Sequence, residues 1–364
     1  MFEEGTAAGA QAVAPWRATI AVVSDTGTPA DRRTAPHGPS GRGPTGAGHR
    51  AGGVVLLTGG LGGARLAPTL ARVLGPGRLT VIVNVGDDLD WHGLRVCPDL
   101  DTVLYALGGQ FDRERGWGRT GDTFTVTDAL RSLGEAAWFG IGDRDLATHL
   151  VRSDLLEVGR SLTDATRELA RRLGVFDPVV LPASDGRCPT VLELADGRRT
   201  GFQEWYVGMR AVPAVSAVRL GAGTAAPTAL EALDGAAAVV LGPSNPVASI
   251  GTILSLEGMT EAVAAVPIRI AVSPTVDAVG PLSTTIAHHA LARRQLLAAS
   301  GGTDSPSGVA AHYARHHPGL VDRYLIDERD VAEASSVAGS GLRPLPVALL
   351  DPDRLASALA GLVR

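Results

Sequence analysis

The densest group of reactive side chains in this 364-residue chain lies between Asn84 and Thr102. It opens with Asn84-Val85-Gly86-Asp87-Asp88 and continues through His92-Gly93-Leu94-Arg95-Val96-Cys97-Pro98-Asp99-Leu100-Asp101-Thr102. Two carboxylates beside a glycine turn suit Mg²⁺, a hard cation that takes a few protein oxygens and completes its shell with water and phosphate. An acidic residue about 20 positions after a glycine turn also binds ribose hydroxyls in NAD enzymes, and Asp87 stands near that distance. The wider group decides between them. A nicotinamide site has no use for so many acids, whereas a metal-bound diphosphate needs them together with cations such as His92 and Arg95. A solvated acidic turn explains Asp87 and Asp88 alone, and a surface hydrogen bond explains His92 or Arg95 alone, but neither explains the whole group.

A second candidate precedes it. Val54 to Thr58 reads as a buried strand, Gly59-Gly60-Leu61-Gly62-Gly63 as a turn, and Ala64 to Leu74 as a helix. Glycines let backbone approach an anion closely, while free N–H groups at the helix start point towards it. The run departs from a dinucleotide fingerprint, because Gly60 and Gly62 fit the first two positions and Arg65 takes the third. A tight strand-to-helix turn with no ligand is the plain alternative.

The elements that must position these residues follow from the same patterning. Leu79 to Val85 is a second apolar strand, so strand, turn, helix and strand form a right-handed βαβ unit with a parallel sheet. Residues 110 to 175 lean helical, with Thr163 as an N-cap, Ala165, Leu169 and Leu173 on one face, and Gly174 as the C-terminal stop. Leu194 to Val207 reads as a hairpin turning at Asp196-Gly197, with Gly201 to Val207 as its second strand. Ala236 to Leu241 and Ile268 to Ser273 are buried strands, and Pro346 to Leu350 leads to a helix from about Asp353. The expected fold is α/β: a Rossmann-like, doubly wound, mainly parallel sheet with a helical insertion at about 110–175. Residues 1–52, rich in Gly and Pro, read as a disordered extension or an early start, although Ala18 to Val23 has strand character; residues 53–364 form the α/β domain.

Bulk properties exclude several functions. With 45% hydrophobic and 20% charged residues and a net charge of −5, the chain lacks the basic excess that nucleic acid or an anionic membrane surface requires. Phosphate binding must therefore be local, from backbone amides and a metal. Cys97 and Cys188 make no metal-ligand spacing or disulfide framework, the chain opens on Glu3 and Glu4, and no apolar run spans a bilayer. A cytoplasmic location is expected.

The Asn84 to Asp88 and His92 to Thr102 runs together resemble the signature of the 2-phospho-L-lactate transferase family of coenzyme F420 biosynthesis, including its phosphoenolpyruvate-using bacterial branch. Three further segments, Trp138 to His149, Phe202-Gln203-Glu204-Trp205 and Gly242 to Gly251, are similar to parts of that family, and the resemblance runs from about Val54 to Ser273. It implies a donor in which GMP is joined through a diphosphate to a three-carbon acid, and an acceptor, the deazaflavin Fo. The ribityl hydroxyl of Fo attacks the phosphorus bearing the acid, and GMP leaves. It further implies Mg²⁺ at Asp87 and Asp101, with Asp99 and Asp88 as alternates. Asp87, Asp88, His92 and Arg95 are expected at the reacting groups. Thr58, Gly59, Gly60, Gly62, Gly63, Asn84, Ser244 and Asn245 are expected around the phosphates and deazaflavin, and a homodimer is implied.

His149 and Arg152, three apart on a helix, are candidates for the acid's carboxylate, or else a surface pair. Asn245-Pro246 alone could be only a turn. The family pattern breaks at Asp277 to Pro281, where Val279 replaces a Lys expected before Gly280-Pro281. Losing that cation removes one charge-assisted contact of about 1.5–3 kcal/mol, which leaves the donor's acid open. His288-His289 point about 100° apart on a helix and make poor joint ligands. Two other readings remain: a non-catalytic regulator on the same fold binding a nucleotide-linked metabolite, and an NAD dehydrogenase.

Overall fold

In the computed structural model, residues 52–274 and 283–363 are described. The expected N-terminal extension, including Ala18 to Val23, lies outside them apart from its last residue, and so does the altered loop from Asp277 to Pro281.

Seven parallel strands form the central sheet. In chain order they are β1 (Gly53–Thr58), β2 (Leu79–Val83), β3 (Val179–Pro182), β4 (Ala236–Leu241), β5 (Ile268–Val272), β6 (Arg323–Asp327) and β7 (Arg343–Val347). Across the sheet they run β7-β6-β5-β4-β1-β2-β3. The β-branched and leucine runs of β1 and β2 are buried on both faces, as a parallel sheet covered by helices on both sides demands. The expected doubly wound α/β core is present. Its order reverses between β1 and β4, which opens a crevice beyond their carboxyl ends, where such sheets bind ligands.

Helix α1 (Gly60–Leu74) follows β1, and α2 (Pro98–Leu107) packs against it. Their closeness explains Gly63. A Cβ there would lie 2.7 Å from both Thr58 Cγ2 and Val103 Cγ2, methyls on β-branched side chains with little rotamer freedom.

The insertion between β2 and β3 contains the expected helices, at Thr125–Ser132, Asp143–Glu157 and Leu162–Arg172. Two local expectations are corrected. Ser161, not Thr163, caps the last of these helices, its hydroxyl accepting the Asp164 N–H at 3.0 Å; Thr163 is buried inside it. Gly174 does adopt the left-handed conformation expected past the helix end. The hairpin Val191–Leu194/Arg199–Gly201 turns at Gly197 as expected, but its second strand stops at Gly201. Residues Glu204–Gly208 form a π-helical turn, because Phe202, Trp205 and Tyr206 recur at helical rather than alternating spacing and their rings cluster. A third strand, Val215–Arg219, completes that small sheet.

Gly63→Ala is expected to overpack the contact between α1 and α2 and lower stability by roughly 1–2 kcal/mol despite better helix propensity. Gly361→Ala, in the helix Pro352–Leu362 with nothing near its Cβ, is expected to raise it by roughly 0.5–1 kcal/mol. Urea denaturation of the two variants checks both signs.

Candidate functional site

A cavity of about 1030 Å³ opens at the crevice between β1 and β4. Gly59, Gly60 and Gly62 enter it from the start of α1, Asp87 from the loop after β2, Asp99 and Thr102 from α2, and Ser244 and Asn245 from the loop after β4. Phe202 and Tyr206 line it from the π-helical segment, and Trp117, Trp138 and Phe139 from the insertion.

Asn84 is the joint between these loops. Fully buried, it donates its backbone N–H to Thr58 O at 2.9 Å and accepts the Gly86 N–H on Oδ1 at 2.9 Å. Its Nδ2 donates to Asp99 Oδ2 at 2.9 Å, and the same amide eases the charge of Asp87. Asp99 accepts the Gly60 N–H as well. Even so, Asp87 Oδ1 is buried without a hydrogen-bond partner among the described residues. Burial, then the charges of Asp99 and Asp88, hold the Asp87 carboxyl well above the usual range. Burial pushes Asp99 up to about 6, against the pull of Asn84 and Gly60. Two adjacent carboxylates with an orphaned oxygen and, among the described residues, no ion-pair partner form a donor set that fits a hard divalent ion.

The glycines are explained by close approach. A Cβ on Gly59 would lie 2.5 Å from Ser249 Oγ, one on Gly60 2.7 Å from Asp99 Oδ1, and one on Gly62 2.2 Å from Ser244 Oγ. Ser244 ties the crevice together, accepting the Gly59 N–H at 2.9 Å with Thr58 Oγ1 2.9 Å away. Thr58 therefore supports the site from beneath rather than lining it. Asn245 Oδ1 accepts the N–H groups of Val247 and Ala248, capping the turn Pro246–Gly251.

The remaining expected residues are placed elsewhere. Asp101 does not line the cavity. The buried Arg152 guanidinium forks across both its oxygens, and His149 Nδ1 lies 3.5 Å from it. His149 Nε2 faces Asp145 at 3.4 Å, and Tyr105 donates to Asp145 at 2.6 Å. Asp101, Asp145 and His149 are close enough to share a metal, but Arg152 already balances Asp101. Burial would weaken the Arg152 charge, and Asp101 more than offsets that. The surface-pair expectation for His149 and Arg152 is corrected, since both are buried, and with Asp101 they form a network joining α2 to the insertion. Asp88 is likewise committed to Arg95 at 2.7 Å, away from the cavity. His92 sits exposed in the turn between Leu89–Trp91 and Leu94–Val96, where both it and Gly93 have positive φ.

Sequence reasoning missed Tyr206 and Arg113, and took Arg65 only as a break in the glycine fingerprint and His288-His289 only as poor joint ligands; all five line the cavity. For Tyr206 the signal was its position four residues after Phe202. His288 and His289 come from the helix Ser283–Ala299, whose place beside the π-helical turn no local pattern announces.

Fold and site define an α/β protein with a glycine-rimmed, acid-lined cavity at a topological switch point. A family profile described as 2-phospho-L-lactate transferase CofD matches residues 54–341, and the chain belongs to that transferase family. The chain is 43% identical over 325 residues to a phosphoenolpyruvate transferase of Thermobifida fusca, covering 85% of this chain and 95% of the relative. It is 41% identical over 329 residues to one of Kitasatospora aureofaciens, covering 85% and 98%. A UPF0052-family protein from Bacillus halodurans shares the fold, with a TM-score of 0.56 and 17% identity over 86% of this chain and 99% of its own. Among the described residues no helix is long and apolar enough to cross a membrane.

Arg152→Met would leave Asp101 buried and uncompensated, so a loss of about 3–5 kcal/mol is expected. Adding Asp101→Asn should recover much of it, read from urea midpoints at constant slope. Asp87 supplies a pH test. Its folded pKa is raised, so its charge costs stability above that value, and the cost vanishes below the unfolded value near 4. Without divalent ions, Asp87→Asn is expected to be more stable than wild type at pH 7. That gap should close as pH falls to about 4.

Proposed function

We propose that this protein transfers a phospho-three-carbon-acid group from a GMP-linked diphosphate donor to the ribityl hydroxyl of the deazaflavin Fo, releasing GMP, in coenzyme F420 biosynthesis. The observation that carries the reading is the uncompensated pair Asp87 and Asp99 set against the N-terminus of α1. The chain's relatives named phosphoenolpyruvate transferase favour enolpyruvate over lactate as the acid.

Asp87 and Asp99 are the residues that would hold Mg²⁺, which supplies charge neutralisation to the diphosphate when bound. The N–H groups at the start of α1 favour anionic oxygens, and the glycines leave room for them. At about 1030 Å³ the cavity reaches the upper end of ligand-site sizes, suiting two substrates together. The Fo hydroxyl oxygen forms a bond to the phosphorus bearing the acid while its bond to the bridging oxygen breaks. GMP departs with that oxygen and its electron pair, and the hydroxyl proton passes to solvent. Such transfer is mostly positioning and charge neutralisation. The crevice holds donor and acceptor in one place, and the aromatic side chains of the insertion limit water.

The purified protein, Mg²⁺, Fo and guanosine-diphospho-enolpyruvate are expected to yield GMP and a charged deazaflavin, resolved by chromatography. No turnover with the enolpyruvyl, lactyl or glyceryl donor would remove the assignment. Asp87→Asn should abolish turnover, whereas Asp88→Asn, altering a carboxylate paired with Arg95 outside the cavity, should act mainly on stability.

A further inference from the structure

Tyr206 is a residue that the transfer reaction as described does not use. It lies in the π-helical turn Glu204–Gly208 and lines the cavity with Asp87 and Asp99. Its ring is held by the chain's own side chains. Phe202 stacks on it at 5.5 Å and 10°, and His288 at 4.2 Å and 8°. With its faces engaged in this way, the ring offers a ligand its edge and hydroxyl more than a stacking surface.

The segment bearing it is rigidly tied. Trp205, fully buried, donates Nε1–H to Pro213 O at 2.9 Å, and Thr200 Oγ1 donates to Glu204 at 2.8 Å. Gly208 packs under Trp138 of the insertion, where a Cβ would stand 3.2 Å from the indole. Among the described residues the Tyr206 hydroxyl has no hydrogen-bond partner, although burial and the fields of Asp87 and Asp99 keep it protonated through the neutral range. A preorganised phenol beside two metal-ready carboxylates is a donor awaiting an anionic oxygen.

We infer that the Tyr206 hydroxyl donates a hydrogen bond to the phosphoryl group second from the guanosine, the one that is transferred. This rests on the reading given under Proposed function. In that role Tyr206 is a catalytic residue: its O–H meets a non-bridging oxygen that gains charge as the bond to GMP breaks, and its proton stays on the phenol throughout.

The test compares wild type with Tyr206→Phe, which keeps the ring stack and removes only the hydroxyl. With Mg²⁺ present, calorimetry should show an affinity for GDP about tenfold weaker in the variant. GMP, which lacks the second phosphate, should bind both proteins alike. In turnover, kcat should fall about 100-fold with the KM for Fo unchanged. Equal GDP affinity in the two proteins, a matching loss for GMP, or an unchanged kcat would each overturn the inference, as would a wild-type protein with no preference for GDP over GMP. If wild type proves inactive with every donor, the transferase reading fails while the GDP and GMP comparison still decides the role of Tyr206.

Discussion

Two acids held together with no ion-pair partner among the described residues are the constraint from which this site follows. Asp87 and Asp99 come from different elements, a strand-end loop and the first turn of α2, and both are fastened to one asparagine amide. Amides stabilise carboxylates only partly, so the pair remains electrostatically expensive in the isolated chain. The parallel sheet makes the arrangement possible: its strand order reverses between β1 and β4, and its well-packed interior fixes the loops that emerge there. Stability invested in the β1–β2–β4 core is spent on holding these oxygens in place.

Two other acids of the same stretch have arginine partners, although burial still holds Asp88 up at about 6. Asp88 has Arg95, and Asp101 has Arg152 with His149 close by. Helix geometry separates the two kinds. Asp99 and Asp101 are two residues apart on α2, hence about 200° apart around its axis, so one meets the cavity and the other the insertion. Arg152 and His149, three apart, share a face and converge on the same carboxylate. The insertion is thereby tied to α2 by the acid that cannot reach the cavity, and it returns over the cavity through Trp138 and Phe139.

Much of this was legible in the sequence. The strands β1, β2, β4 and β5, the glycine turn, the acidic stretch and the Ser244-Asn245 loop all announce themselves through local composition, and all meet where a parallel sheet must bring them. Individual roles were less legible. Five carboxylates within fifteen positions look alike as letters, and which of them faces an arginine depends in part on a helix some fifty residues later. His92 carried the chemistry expected of an imidazole, yet His92-Gly93 is also a sequence that closes a tight hairpin, and that local demand prevailed. In the segment after Gly201 the error was one of period: strand propensity at Trp205, Tyr206 and Val207 masked an i, i+3, i+4 recurrence that points to a helical turn.

The glycine run shows how the acid pair and the start of α1 became one packing problem. Apart from the unstrained backbone at their own positions, Gly59, Gly60 and Gly62 are needed because Ser249, Asp99 and Ser244 press against the first turn of α1. A side chain at Gly60 would displace Asp99 from Asn84, and one at Gly62 would displace Ser244 from Thr58 and Gly59. The helix start can approach the acids only because it is bare, and the acids tolerate each other partly because they lie near its positive end. The helix end that eases the repulsion within the acid pair is therefore also the end that favours an anion. A phosphate and a cation arriving together would satisfy both ends of that arrangement, whereas either alone would leave one end unbalanced. That coupling favours a substrate carrying its charge as a metal-bound diphosphate over a simple anion or a bare metal ion.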